Sequence, residues 1–184
     1  MRNITALIIS AITAAYTVWY MHFEKPWTND GALSTIGLEH RALFTVWGIL
    51  TFVTISALLI TGYKSIDKIK IALSLLCVSG IGMALTLVFK FEYGTNPDYY
   101  LHCAGSLIFS AVTGAAVFLL FLLKRNYAFV GISALIMIAD LICLIIFKET
   151  GLIEALPLFA GYILLNTDNI RSERLETSRK VKRT

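Results

Sequence analysis

Three histidines and a scatter of carboxylates carry whatever chemistry this 184-residue chain can do. His22, His40 and His102 accompany Glu24, Asp30, Glu39, Glu92, Asp98, Glu149 and Glu154, and one further acid, Asp140, stands inside an apolar stretch. An imidazole within hydrogen-bond reach of a carboxylate supports general acid–base work, and converging histidines can hold zinc. The spacings select neither. No HExxH, CxxC, GxSG or Gly-rich phosphate loop occurs, so the zinc-protease, dithiol, serine-protease and nucleotide-binding classes lack their signatures. There is no lysine deep in an apolar run for a retinal Schiff base, and no pair of histidines placed for haem across a membrane. The arginine- and histidine-rich constellation of acid-phosphatase-type lipid phosphatases is missing too. Neither a metal nor a cofactor is expected.

The elements that must position these residues are apolar runs: Ile4–Met21, Leu43–Tyr63, Ile69–Phe89, Cys103–Leu123, Tyr127–Phe147 and Leu152–Leu165. Several approach 20 residues, which at ~1.5 Å per residue covers a ~30 Å hydrocarbon core. Hydrophobic residues make up 57% of the chain and charged residues 15%, whereas soluble domains carry about a quarter charged. The runs are continuous, not alternating as in a transmembrane barrel. The expected fold is therefore all-α, an integral membrane bundle of six transmembrane helices over residues 1–166, followed by a basic tail over 167–184. The first run ends in Trp19–Tyr20, not in a small-residue cleavage site, and reads as a retained helix. Trp19, Tyr20 and Trp27 suit an interfacial aromatic belt. Cys77, Cys103 and Cys143 fall within separate runs and read as unpaired thiols.

Charge sets the expected orientation. Four basic residues, Lys25, Arg41, Lys90 and Lys148, lie on one side of the runs, and the other twelve of the sixteen lie with the termini. The positive-inside rule then puts both termini in the cytoplasm. Lys182 and Arg183 end a tail that suits anionic headgroups, with no aromatic platform for nucleic acid.

The opposite side holds the chemistry. Its two longer loops, about 22–42 and 90–101, carry Phe23, Trp27, Phe91, Tyr93, Tyr99 and Tyr100, with turns at Pro26, Gly31, Gly94 and Pro97. They are expected to meet over the bundle mouth. Ser34 or Thr35 is placed to cap a short helix before the second run, and Asp98 to cap the fourth. Asp140 sits about seven residues inside the fifth run, roughly 10 Å deep. A carboxyl there faces the bundle or a wet cavity and needs a polar partner, with Thr86, Ser106, Ser110 or a water reaching down from the outer pocket as candidates. Glu154 precedes Pro157 in the last run, where proline frees a backbone carbonyl. Lys90 and Glu92 flank the third run, one of them available to neutralise a carboxylate. Small residues from Ser79 to Ala84 and from Ala104 to Ala116 suit close helix packing or an apolar groove. The candidate ligand-binding set is Glu39, His40, Lys90, Glu92, His102, Asp140 and Glu154.

The ordered strings LSTIGLEHRALF, SGIGMAL, FKFEYGTNPDYYLHCAGSLIF and ETGLIEALPLFAGYILLNTDNIR resemble the six-pass bacterial membrane proteins grouped as a domain of unknown function. They also resemble the wider autophagy-modulator and Frag/Sfk-type membrane proteins. The histidine before a small-residue span corresponds to His102, Ala104, Gly105 and Phe109, and the acid opening the last span to Glu154 or Glu149. The resemblance runs from about Ser34 to Arg171 and implies a role with lipid at the outer leaflet of a bacterial inner or plasma membrane. The resulting expectation is a multi-pass protein whose outward-facing polar pocket binds or handles a membrane lipid or amphiphile, with a membrane-protein partner also open. Two other readings stand beside it. One is a lipid hydrolase or acyltransferase with His102 or His40 as base and Glu92 or Glu154 as partner. The other is a small proton-coupled transporter titrating Asp140.

Overall fold

The computed structural model describes residues 2–92 and 96–181. Tyr93, Gly94, Lys182 and Arg183 lie outside the described residues. All described secondary structure is helical. Seven α-helices follow in order: α1 (Arg2–Tyr20), α2 (Leu33–Glu39), α3 (Arg41–Lys64), α4 (Ile69–Val88), α5 (Pro97–Leu123), α6 (Tyr127–Phe147) and α7 (Gly151–Val181), with one 3-10 turn at Met21–Phe23. Five segments, Ile4–Phe23 and the whole of α3, α4, α5 and α6, are long and apolar enough to cross a membrane, as befits a membrane protein. The sixth expected run lies within α7 and is not among them; Glu154, Asn166 and Asp168 dilute its apolar stretch. Helix α7 also passes without a break through residue 166, where a tail was expected to begin.

Helix α3 is the hub. It packs against α1, α4, α5 and α7, while α1, α7, α6, α5 and α4 follow one another around it. Glycine makes the tightest of these contacts possible. A Cβ on Gly105 would lie 2.7 Å from the Gly82 carbonyl oxygen, and one on Gly82 would lie 2.6 Å from the Phe109 nitrogen. Helices α4 and α5 therefore meet backbone to backbone, which is how small residues serve helix packing in an apolar medium. Side-chain hydroxyls stitch α1 to α3: Thr13 and Thr54 share a 2.7 Å hydrogen bond, and Trp47 Nε1 donates to Thr17.

Two apolar cores result. One surrounds Leu58, Leu59, Tyr63, Leu120 and Leu165. The other gathers Tyr20, Leu33, Ile36, Phe44, Trp47 and Ala155 beneath α2. Tyr20 is thus no belt residue; it is fully buried and donates to the Leu33 carbonyl, while Trp19 and Trp27 remain exposed. Helix α6 is the outlier, with Ser133 alone buried. Its end is fastened by the loop before α2, where Asn29 donates to the carbonyls of Phe147 and Glu149. Gly31 seats that loop on α7, since a Cβ on Gly151 would lie 2.5 Å from the Gly31 oxygen.

Candidate functional site

Between α3, α5, α6 and α7 lies a cavity of about 390 Å³. On α5 its wall runs from His102 to Val117, roughly 22 Å of helix at ~1.5 Å per residue. Its deep part is largely apolar, with Ile55, Val117, Ile136 and Leu164, and the hydroxyls of Thr113 and Ser133 that also line it are bonded to Ser79 and to the Val130 carbonyl. Polar groups gather toward the α2 end: Ser34, His102, Glu149 and Glu154, with Ser106, Ser110 and Asp140 further down. Ser106, Ser110 and Gly114 turn to this cavity, whereas Gly105 turns to α4, so the small residues of α5 serve packing and cavity from different faces.

Glu154 has a defined task. One carboxylate oxygen accepts the backbone N–H of Leu33 at 2.5 Å, and the other accepts the Ser34 hydroxyl at 3.2 Å. Leu33 opens α2, and its preceding residue, Ala32, has no side chain able to cap. The first N–H groups of a helix lack intrahelical partners. Glu154 supplies the missing acceptor from across the bundle, and its charge suits the positive helix end. The cap expected from Ser34 or Thr35 is therefore not local; Ser34 is itself inside the helix. The cap expected from Asp98 is likewise replaced. Asn96 accepts the Asp98 N–H at 3.2 Å, with Pro97 in the first helical position. The Asn-Pro pair was the overlooked signal, because proline is preorganised for that position.

His102 is 2% exposed. Its Nδ1–H donates to the Phe89 carbonyl at 3.1 Å, and its ring lies against Phe44 and Phe91. Arg41 donates to the carbonyls of Leu87 and Phe89. Imidazole and guanidinium together satisfy the carbonyls left open where α4 ends, and the cation suits that helix terminus. Arg41, the first residue of α3, and His102, in the second turn of α5, thus meet at the Phe89 carbonyl. Arg41, absent from the candidate set, was readable as the lone arginine beside a histidine at a helix start.

The remaining candidates divide. Asp140 faces the cavity, half-buried, and makes no hydrogen bond or ion pair among the described residues. Thr86, Ser106 and Ser110 make no hydrogen bond to it, and the Thr86 hydroxyl bonds its own helix at Gly82. Glu39, Lys90 and Glu92 are exposed and line no part of the cavity, and His40 packs its ring at a tilt against Phe23, away from it. Neither Lys90 nor Glu92 pairs with a carboxylate or a cation among the described residues. His22 bonds the Val18 carbonyl, so the three histidines serve three separate places. No group of three His, Cys, Asp or Glu side chains is arranged to hold a metal among the described residues. Cys77, Cys103 and Cys143 are free thiols.

Glu149 was not among the candidates for the pocket, yet it lines it. Its position explains this: it stands in the short turn between α6 and α7, five residues before Glu154. Burial pushes its carboxyl above the ordinary carboxylate value. It is close enough to Cys103 and Glu154 to act on both electrostatically. In comparison with known proteins, the chain matches no family model, no curated protein and no solved structure.

Proposed function

We propose that this protein is a non-catalytic membrane component that holds a lipid or amphiphile in the cavity between α3, α5, α6 and α7. One observation carries the reading: the cavity is long, largely apolar at depth, and has its ionisable groups toward one end. That is the shape of a molecule with a chain and a head. Small-molecule sites are concave, largely apolar and fitted with a few polar groups that fix orientation, and this cavity has that composition. Kinship with the six-pass lipid-associated proteins suggested by the sequence belongs to the same proposal. The test is mass spectrometry of the protein purified into lipid nanodiscs, beside a Ser110→Phe variant that plugs the cavity. The parent should retain a stoichiometric amphiphile that the plugged variant loses. An identical lipid complement in both would end the reading.

The proposed topology has six crossings, both termini cytoplasmic, in a bacterial inner or plasma membrane. Helix α7 supports the sixth. It touches α2 through Glu154 at one end and the α5 terminus through Asp168 at the other, so it runs the length of its neighbours. The distribution of basic residues supports the orientation. A cysteine introduced at Asn96 that reacts only from the cytoplasmic side would overturn it.

A proton-coupled carrier is the second reading, favoured by the unpartnered Asp140 inside the cavity. It requires proton flux in proteoliposomes that Asp140→Asn abolishes while the variant still folds. The hydrolase or acyltransferase reading has less support. Acid–base work needs a histidine within reach of its partner, and among the described residues each histidine contacts a backbone carbonyl or an aromatic ring, not a carboxylate.

A further inference from the structure

We propose that the cavity selects a single-chain amphiphile with a cationic amine head. This rests on the amphiphile reading above and adds to it the charge and the number of chains. The charge follows from what lines the void. Asp140, Glu149 and Glu154 face it, and among the described residues no lysine or arginine does. Glu154 is spent on α2. Asp140 and Glu149 have no side-chain hydrogen bond or ion pair among the described residues.

The cations that approach are committed elsewhere. Arg41 is held by the carbonyls that end α4, and Lys124 is paired with Asp168 at the far end of the bundle. Lys90 and Lys148 are exposed and line no part of the cavity. A carboxylate withdrawn from water and left without a partner is costly, and a bound ammonium offsets that cost with charge-assisted hydrogen bonds. An anionic head would instead meet like charges. The cavity's volume falls at the low end of the ~300–1,000 Å³ typical of ligand sites, while its wall is long on α5. A slot of this volume and length suits one chain better than the paired chains of a phospholipid. The amine head lies at the Glu149 end, with Asp140 deeper on α6 available to a second donor.

The test uses the full chain in nanodiscs of uncharged phosphatidylcholine. Dodecylamine, dodecanol and dodecanoate share a chain and differ in charge. Binding is read from the fluorescence of Trp47, which lines the cavity, with the Ser110→Phe variant as baseline for partition into the bilayer. Dodecylamine should bind about tenfold tighter than dodecanol, the scale of one charge-assisted hydrogen bond, and dodecanoate weakest. In an Asp140→Asn, Glu149→Gln double variant, with its fold checked by circular dichroism, the amine's advantage should disappear. If dodecanol or dodecanoate matches the amine, or the advantage survives the double variant, the charge selection is wrong and the amphiphile reading stands. If none of the three binds above baseline, the single-chain amine proposal is wrong, and the lipid complement of the parent against Ser110→Phe decides the amphiphile reading by itself.

Discussion

Helix α7 carries an acid near each end of its packed length, and the bundle treats the two differently. Asp168 meets Lys124 at 2.5 Å, both side chains nearly excluded from solvent, and the same ammonium reaches Ser172. Around them Asn166 donates to Ser10 and Asn169 donates to the Leu58 carbonyl. Charge there is matched by charge, and the helices are locked together. At the other end Glu154 meets no cation among the described residues. It is held by hydrogen bonds from a seven-residue helix, with two more carboxylates, Glu149 and Asp140, facing the same void. One end is closed and compensated; the other is open and electrostatically incomplete. An incomplete site is where a ligand has something to add.

The largest effect should come from breaking the compensated end. Lys124→Met leaves Asp168 buried without its cation, which costs about 3–5 kcal/mol for a buried pair. Thermal unfolding in nanodiscs should show that loss, and the Lys124→Met, Asp168→Leu double variant should recover most of it. A single variant as stable as the parent would mean that the two ends do not differ as described.

The contrast was only half visible in the sequence. Apolar run length located the long helices, because crossing a membrane demands unbroken runs. It also placed Asp140 at depth, His102 at the start of α5 and Glu154 at the start of α7. Partnership was not visible. Glu154 caps a helix about 120 residues earlier in the chain, and no local capping pattern can report that. Lys124 and Asp168 looked like ordinary residues of the basic side, because their pairing depends on how α5 and α7 pack. Glu39, Lys90 and Glu92 entered the candidate set through their side of the membrane alone, and a shared side does not bring side chains to a shared cavity.

A smaller effect should follow at the open end from Glu154→Leu. The N–H groups that open α2 would lose their acceptor, at a cost of about 1–2 kcal/mol, the range for removing a helix cap. Hydrogen exchange should localise it: the amides of Leu33 and Ser34 should exchange faster while those of α4 keep their protection. Glu154→Gln should be milder, since an amide oxygen can still accept from Leu33. Exchange that spreads evenly over the bundle would show that Glu154 does more than hold α2.

The smallest effect is expected at Asp140, and its sign is informative. A buried carboxyl with a polar partner leaves that partner unsatisfied when it is replaced by leucine, at about 1–3 kcal/mol. Asp140 has no such partner among the described residues, so Asp140→Leu should orphan nothing. It removes a carboxylate from a cavity where desolvation works against its charge. Asp140→Leu and Asp140→Asn should therefore both unfold within about 0.5 kcal/mol of the parent, the range of substitutions that break no specific interaction, with leucine equal to asparagine or slightly above it. Paired unfolding curves at matched lipid composition decide this. A leucine variant less stable than the asparagine variant by more than 1 kcal/mol would reveal a partner for Asp140, and the open end would then be compensated like the closed one.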